Sequence, residues 1–549
     1  MGSQRNSRRS NFIVQGGILA TAGIISRLIG LLYRVPLTNI IGDEGNGLYA
    51  AAFQIYSIML LISSYSLPLA VSKLVSSRAA KGQYKNARKI FRGAFIFALI
   101  SGGVVTVIVF FGADFFAGTL MTEAKSAVAL RVLGPALLIV ALMGVMRGYF
   151  QGMGTMMPTA ISQILEQIVN AVMSIMAAKF LFQYGTKVAA LLRDDSYAAA
   201  YGAAGGTFGT VAGALMGLLF LFLVLLSRNR TFKKQMNKDA GRYIESYGQI
   251  FRVLLLTILP VIMSAAIYNI SDPLDQSIFN YIMTKNGMGD IQTSYWGMFS
   301  GKYRVLTNVP IALASSISAS MMPTLTQCME EQEYRAAKHK VSTATRFTMI
   351  LAIPCAVGLS VLGKPILSML FTGEIDLPAK LLQVGSISVV FYSLSTLTNG
   401  VLQGIDKMNI PVRNAAIALI IHLVSLFVML EYFDLKLYAV VFSCIIFAFI
   451  MCVLNGLSIK KHLNYTQEIK RTFVIPAISA AIMGVVCWLL HMLFSLFLPI
   501  APSTLLSIAI GALVYFTVLI ALKGIKESEL RNIPMGGGIV AIAKLFRLM

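Results

Sequence analysis

The chain has 549 residues, of which 57% are apolar and 13% are charged, and its mean hydropathy is +0.75. Soluble proteins average about 25% charged residues, so this composition excludes an ordinary soluble protein. Apolar runs of about 20 residues recur along the whole sequence and predict an all-α polytopic membrane protein. The net charge of +23 does not indicate nucleic-acid binding, because the cations concentrate in short loops between the apolar runs.

The apolar runs predict about 14 transmembrane helices. In chain order they are residues 12–41, 47–76, 91–113, 128–150, 158–182, 200–227, 251–283, 295–326, 346–370, 378–402, 411–431, 436–457, 472–496 and 501–523. Lysine and arginine are abundant in alternate loops and scarce in the others, so the positive-inside rule places both termini and the basic loops in the cytoplasm. We expect those loops to contact anionic membrane lipids.

Two pairs of similar segments indicate an internal duplication. Residues 148–152 and 400–404 both have the sequence G-x-x-Q-G, and a proline opens the helix that follows each of them. Residues 83–88 and 333–338 match at nearly the same spacing. A shared spacing makes chance similarity between apolar segments a poor explanation, so we infer that spans one to six and seven to twelve are repeats.

The duplication predicts the domain organisation. The predicted domains are an N-lobe at 1–227, a basic cytoplasmic linker at 228–250, a C-lobe at 251–457, two additional helices at 458–523 and a cytoplasmic amphipathic tail at 524–549. Each lobe has an even number of spans, so both insert in the same direction as parallel repeats about an axis along the membrane normal. Two such lobes around a central cavity predict a transporter that opens alternately to either side, rather than an enzyme.

Two arginines interrupt the first apolar run. Arg27 and Arg34 are seven residues apart and therefore share one helix face. An arginine at the bilayer centre costs about 2.5–3.5 kcal/mol on insertion scales, which a chain tolerates when the charge faces a polar cavity. A cationic cavity favours an anionic passenger. The alternative is that both side chains snorkel to water or pair with acids in a packed bundle.

The fifth span carries four polar side chains on one face. Gln163, Glu166, Gln167 and Asn170 follow the i, i+3, i+4, i+7 pattern of a helical stripe. We expect this stripe to line the cavity, where Glu166 would carry a proton or bind a cation. Hydrogen bonding between packed helices is the alternative.

The seventh and eighth spans contain further charged residues. Asp272 and Asp275 flank Pro273, which predicts a kinked or broken helix whose exposed carbonyls and carboxylates would suit a cation. In the alternative interpretation these acids neutralise Lys302 and Arg304. Those two cations are only two residues apart and point in different directions on a regular helix.

The remaining motifs exclude several kinds of chemistry. The four histidines have no metal-binding spacing, no Walker A loop occurs, and no nucleophile elbow is present. We therefore predict no catalytic residues, no resident metal and no cofactor. Gly16, Gly23 and Gly30 recur every seven residues and predict a close helix contact.

Four segments resemble a known family. Residues 26–30 (SRLIG), 42–49 (GDEGNGLY), 68–75 (PLAVSKLV) and 147–169 are similar to the polysaccharide-transport branch of the MOP (multidrug/oligosaccharidyl-lipid/polysaccharide) exporter superfamily. Within this branch they look most like MurJ-type lipid II flippases of Gram-positive bacteria and SpoVB-like proteins. The resemblance covers essentially the whole chain.

The resemblance implies a function. Members of this branch move undecaprenyl-pyrophosphate-linked sugars from the inner to the outer leaflet of the bacterial cytoplasmic membrane. It implies that Arg27, Arg34 and Arg304, with Lys302, bind the pyrophosphate, and that a groove beside the two extra helices holds the lipid tail. Transport would be driven by an H⁺ or Na⁺ gradient or by the membrane potential. Cell-wall synthesis proteins are the protein partners that it suggests.

One departure and two alternatives accompany this resemblance. Gln54 and Tyr56 occupy the region where related flippases often carry another arginine. The alternative substrate is another lipid-linked oligosaccharide, of capsule, teichoic or spore-cortex type. A cation-coupled drug exporter of the same superfamily is a third candidate, but its cavity would favour acids, and Arg27 and Arg34 count against it.

Overall fold

The computed structural model describes residues 18–19, 21–64, 66–237, 239 and 245–524. This described part of the chain is helical and contains no β-strand. Eleven of its helices are long and apolar enough to span a membrane, or twelve when a bent pair is counted as one span. The predicted all-α polytopic fold is thus confirmed, whereas the count of 14 spans is not. The predicted amphipathic tail lies outside the described residues.

The described chain forms two compact units, which divide between Gly301 and Lys302. The helices of the first unit are α1 (Thr21–Leu32), α2 (Arg34–Ser63), α3 (Leu67–Ala80), α4 (Tyr84–Phe111), α5 (Ala113–Phe115), α6 (Ala127–Gly152), α7 (Met157–Leu192), α8 (Ser196–Ser227), α9 (Asn229–Asn237), α10 (Tyr247–Asn269), α11 (Ser271–Lys285) and α12 (Gly289–Met298). The helices of the second unit are α13 (Arg304–Glu330), α14 (Tyr334–Leu370), α15 (Asp376–Gly385), α16 (Ile387–Gly404), α17 (Asn409–Glu431), α18 (Leu437–Leu463), α19 (Ile475–Phe494) and α20 (Ile500–Ala521).

Two helix breaks distinguish the observed helices from the predicted spans. The predicted loop between the first two spans is a kink inside α2, where Gly42 has φ 70°. Glycine adopts this left-handed conformation without steric cost, so the helix bends instead of ending. The kink predicted near Pro273 is confirmed, since α10 ends at Asn269 and α11 begins at Ser271. Proline lacks the N–H that would bond the carbonyl of Asn269, four residues earlier.

The unit boundary differs from the predicted lobe boundary at 228–250, because α12 packs closely against α2. A Cβ built on Gly297 would lie 1.7 Å from the Asp43 carbonyl oxygen, and one on Gly47 would lie 2.0 Å from that of Thr293. Only glycine at both positions allows backbones to approach this closely. The repeat is a property of the sequence, whereas this contact assigns α10–α12 to the first unit.

Matching turns support the duplication. The turn between α6 and α7 contains Gly154 with φ 79°, and the turn between α16 and α17 contains Asp406 with φ 59°. Before α4 and α14, Gly82 and Gln332 have φ 72° and 57°. Non-glycine residues seldom adopt positive φ. Left-handed residues at corresponding positions therefore indicate that the two repeats share their local folds.

A glycine ridge on α8 holds α7 against it. A Cβ on Gly205, Gly209 or Gly213 would lie 2.0–2.6 Å from backbone or hydroxyl atoms of α7. Such spacing of four residues is the small-xxx-small pattern of closely packed membrane helices. Of the three glycines expected to make a close contact, Gly16 lies outside the described residues. Nothing described lies within 4 Å of the Cβ position of Gly23, and that of Gly30 is 3.6 Å from Gln167 Oε1.

Part of the basic linker contacts the first unit. Phe232 of α9 is buried and packs against the rings of Tyr149 and Phe150. Arg78 at the end of α3 forms an ion pair with Glu245. The lysines and arginines of α9 remain exposed, so aromatic and ionic contacts help to anchor the linker while the cations of α9 face outward.

Candidate functional site

The guanidinium of Arg34 stacks on an aromatic column. Its Cζ lies 4.5 Å from the ring centroid of Tyr49. Tyr49 in turn stacks on Phe53 with a centroid distance of 5.7 Å, and Phe53 contacts Tyr56 at 5.4 Å. These three aromatic residues follow the i, i+4, i+7 spacing of one helix face, so the sequence itself contains the pattern that predicts this column.

The Arg34 side chain keeps unused hydrogen-bonding capacity. Its Nη1 atom is buried and has no hydrogen-bond partner among the described residues. A cation–π stack engages the face of the guanidinium plane and leaves the N–H donors in that plane available. A buried donor without an acceptor costs about 1–3 kcal/mol, which an anionic ligand would remove. Arg27, two turns earlier on α1, is exposed.

The polar stripe of α7 lies beside the helices that carry these arginines. The Oε1 atom of Gln167 is 3.6 Å from the Cβ position of Gly30, midway between Arg27 and Arg34 in sequence. Asn170 Nδ2 donates to the Tyr33 hydroxyl at 3.4 Å. The structure therefore brings the predicted stripe and the predicted first-span cations into one region of the first unit.

Individual stripe residues have different partners. Asn170 Oδ1 also accepts a hydrogen bond from Ser174, at 3.0 Å. Gln163 Oε1 is buried and has no partner among the described residues. Asn170 thus has protein partners for both of its amide atoms, whereas Gln163 retains a polar atom that could accept a bond from a ligand.

Glu166 forms an ion pair between α6 and α7. Its Oε2 atom accepts a hydrogen bond from Arg147 Nη2 at 2.7 Å, and Arg147 Nε donates to Ser162 Oγ at 3.0 Å. The two charged side chains are 13% and 20% exposed. Arg147 was not among the predicted site residues, although an arginine within an apolar span is itself a signal of a functional position. The role of Glu166 in ion coupling stays a prediction.

The acids of α11 occupy a broken helix, as expected. Asp275 is fully buried, and Asp272 lies one turn earlier, directly after the break. Among the described residues, no group of three or more histidine, cysteine or acidic side chains is arranged to hold a metal ion. The predicted cation at Asp272 and Asp275 would therefore depend on backbone and amide oxygens for its other ligands.

The second unit carries the other two predicted cations. Lys302 is fully buried, and its Nζ atom donates to the backbone carbonyl of Glu374 at 2.7 Å. Arg304 Nη2 lies 3.8 Å from the Cys444 sulfur. Lys302 thus fastens the segment after α14 to the start of α13. Substrate binding by Lys302 and Arg304 stays a prediction.

An apolar cavity of about 410 Å³ lies in the second unit, between α13, α14, α19 and α20. Its lining residues include Val309, Cys355, Met483, Cys487 and Phe516. Tyr515 also lines it, but its hydroxyl donates to the Ile350 carbonyl at 2.8 Å and so presents no unsatisfied polar group. The two C-terminal helices thus help to enclose a site suited to a hydrocarbon chain.

Two known protein families match parts of the chain. The family described as polysaccharide biosynthesis protein matches residues 14–329. The chain belongs to this family. The MatE family additionally matches residues 305–428. The polysaccharide biosynthesis match covers α1–α12 and most of α13, and so includes Arg27, Arg34 and the α7 stripe.

Similarity to two relatives extends along nearly the whole chain. The lipid II flippase MurJ of Bacillus subtilis (strain 168) is 26% identical over 532 residues, which cover 92% of this chain and 94% of the relative. Stage V sporulation protein B of the same strain is 25% identical, with coverages of 95% and 98%. These relatives confirm the predicted place in the MOP superfamily, on its MurJ- and SpoVB-like branch.

Solved structures share the fold. A lipid II flippase MurJ in an inward closed conformation superposes with a TM-score of 0.66 and 18% identity, covering 91% of this chain and 97% of that one. An inward-facing MATE family multidrug transporter has a TM-score of 0.65 and 16% identity, with coverages of 80% and 94%. The chain thus shares the helical membrane fold of these solved transporters.

Proposed function

We propose that this protein is a flippase for a lipid-linked oligosaccharide, and that its passenger is the undecaprenyl-pyrophosphate-linked peptidoglycan precursor lipid II. The observation that carries this proposal is the buried, unsatisfied Nη1 atom of Arg34 beside an aromatic column. A diphosphate cannot cross hydrocarbon alone, because an unpaired charge there is very costly. Guanidinium groups replace its hydration with charge-assisted, bidentate hydrogen bonds.

The apolar cavity supports the lipid half of the substrate. Its volume of about 410 Å³ falls within the roughly 300–1,000 Å³ of ordinary ligand pockets. A prenyl chain has no polar atoms and needs a lining without unsatisfied donors or acceptors. The cavity beside α19 and α20 meets this requirement, which agrees with the predicted tail groove at 458–523.

The names of the relatives support a glycan-lipid passenger. One relative of nearly full length is a lipid II flippase. Transport to the outer leaflet would follow alternating access, with an H⁺ or Na⁺ gradient or the membrane potential as the driving force. One elementary charge gains about 2.3 kcal/mol per 100 mV of potential. Glu166, Asp272 and Asp275 are the coupling candidates, and Arg304 of the second unit is a further candidate ligand of the pyrophosphate.

A second candidate passenger is another lipid-linked oligosaccharide, including one used in the spore cortex. The sporulation protein matches this chain at nearly the same identity and over slightly more of its length than the flippase does. Both passengers share a lipid-linked phosphate, so the same arginines would serve. The two candidate passengers differ in their sugar part.

Leaflet-specific labelling of lipid II tests the proposal. In cells depleted of their own flippase, expression of this chain should restore lipid II on the outer leaflet. Arg34→Ala should abolish this restoration, and Arg34→Lys should restore it only partly, because lysine keeps the charge but loses the planar fork. Arg131→Ala is the matched control, since Arg131 is exposed and already paired with Asp114.

The outcomes separate the alternatives. Lipid II that stays on the inner leaflet while another lipid-linked sugar moves would support the second passenger. Normal restoration by both Arg27→Ala and Arg34→Ala, with each variant inserted in the membrane, would refute phosphate binding by these residues.

A further inference from the structure

A short segment before α6 is fastened to α11 and α12 by side-chain hydrogen bonds. The backbone carbonyls of residues 120–122 each accept one bond, from Ser277 Oγ at 2.6 Å, Asn280 Nδ2 at 2.7 Å and Gln292 Nε2 at 3.0 Å respectively. We refer to residues 120–123, together with these three side chains and Thr293, as the latch. The predicted orientation places the latch on the outer side of the membrane.

The carboxyl group of Glu123 lies at the centre of the latch. Glu123 is only 6% exposed. The Thr293 hydroxyl lies 2.7 and 2.8 Å from its two carboxyl oxygens, and Asn280 Nδ2 is 3.3 Å from Oε1. Gln292 Nε2 is 3.5 Å from the same oxygen. All of these contacts are with neutral groups, and none of the described lysines or arginines forms an ion pair with Glu123.

The charged groups around Glu123 compensate its charge only in part, through Lys125. On its own segment, Lys125 donates to Asp194 and Ser196, in front of α8, and its ammonium is engaged there. On α2, the nearby Glu44 adds a second negative charge. On α11, Asp275 lies two residues before Ser277 and is fully buried, and as an acid it brings no positive charge. Lys285 at the end of α11 and Asp290 at the start of α12 are exposed.

A protonated carboxyl group fits this environment better than a carboxylate. The acid O–H at Oε2 would donate to Thr293 Oγ1, while Oε1 accepts from the two amides. Burial raises the pKa of the Glu123 carboxyl to about 7, and the hydrogen bonds from Thr293 and Gln292 lower it only in part. Ionisation near neutral pH would leave an incompletely compensated charge in a buried site.

The latch is also connected to the tight crossing of α2 and α12. Thr293 supplies the hydroxyl that contacts Glu123, and its backbone carbonyl is the group that Gly47 approaches. Movement of α12 away from α2 would therefore withdraw the Thr293 hydroxyl from Glu123. Separation of these helices and exposure of the carboxyl group would be one event.

We propose that Glu123 is a proton-binding site that couples closure of the latch to proton uptake from the outer side. In the closed latch the neutral carboxyl is bound by amides and a hydroxyl, and on opening it enters water and releases its proton. The closed state is therefore favoured below pH 7 and loses this advantage as pH rises through 7. Proton binding by Glu123 and closure of the latch do not depend on the proposed flippase function. Only the use of this closure in transport rests on that function.

Distance measurement between two spin labels tests the proposal. The labels replace Leu120 and Tyr281, whose side chains are 45% and 63% exposed at the two sides of the latch, in the full-length protein with its five native cysteines replaced. In lipid nanodiscs without substrate, we expect one short distance at pH 5.5. A longer distance should gain at least tenfold in relative population by pH 8.5, with a midpoint near 7.

Two variants complete the test. Glu123→Gln mimics the neutral acid and should keep the short distance at both pH values. Asp290→Asn is the matched control, because it removes an exposed carboxyl of α12, and it should respond to pH as the wild type does. An unchanged wild-type distance between pH 5.5 and 8.5 would overturn the proposal, as would a full pH response in Glu123→Gln. This measurement needs no passenger, so its failure is distinct from failure of lipid II transport.

Discussion

Glu166 and Glu123 are both acids held between helices of the first unit, yet their surroundings differ in kind. Glu166 contacts the guanidinium of Arg147, whereas Glu123 contacts a hydroxyl and two amides. A guanidinium partner compensates the negative charge of a carboxylate directly. Neutral donors accept either protonation state. The first acid therefore forms an ion pair between α6 and α7, whereas the second forms hydrogen bonds that do not fix its protonation state.

Removal of Arg147 should have the largest effect on stability. It would leave Glu166 without a cationic partner, as Glu123 is, but without the hydroxyl and amide contacts that Glu123 has. Arg147→Ala leaves the Glu166 carboxylate without a cation, which typically costs about 3–5 kcal/mol at a buried pair. Thermal unfolding in detergent should show a large loss of stability. The double variant Arg147→Ala/Glu166→Gln should recover much of it. A single variant as stable as the wild type would mean that the pair does not hold α6 to α7.

Separation of α12 from α2 should have an intermediate effect on stability and should lengthen the distances across the latch. Gly297→Ala places a methyl group 1.7 Å from the Asp43 carbonyl oxygen, so the helices must move apart at a cost of about 2–3 kcal/mol. Label distances across the latch should lengthen even at pH 5.5. Gly103→Ala is the control, because nothing lies within 4 Å of its Cβ position, and it should be neutral or slightly stabilising.

The smallest expected effect is a pH dependence of stability that is specific to Glu123. Its folded-state pKa of about 7 exceeds the value of about 4.3 in an unfolded chain, so the folded state binds more protons between these values. Stability should therefore fall as pH rises from 5.5 through 7, by about 1–2 kcal/mol. Glu123→Gln should flatten this dependence in unfolding measurements. Asp194 makes no contribution in this range, because its hydrogen bonds with Lys125 and Ser196 lower its pKa to about 2.

The fold class and the family were accessible from the sequence because they depend on local patterns. Apolar runs identify helices, Pro273 marks a broken one, and repeated G-x-x-Q-G turns reveal the duplication. Each of these signals spans a few residues or a fixed offset. The stripe at Gln163–Asn170 was recognised for the same reason, since a helix places residues three and four apart on one face.

The partners of the candidate site were not accessible, because they depend on contacts between distant segments. Arg147 and Glu166 sit on different helices, and Glu123 meets Asn280 and Thr293 more than 150 residues away. No periodicity in one segment specifies which face of another segment it meets. The unit boundary at Gly301 has the same origin, since close approach at Gly297 is visible only once the backbones are placed.

The glycine ridge of α8 has a mechanical consequence. Because its backbone touches that of α7 over three successive turns, the two helices cannot slide or twist past each other without collision. Any rearrangement during a transport cycle must therefore move α7 and α8 together as one rigid body. The amide and carboxylate groups of α7 then keep fixed distances from one another throughout the cycle. Bending would instead occur at glycine kinks and proline breaks elsewhere in the chain.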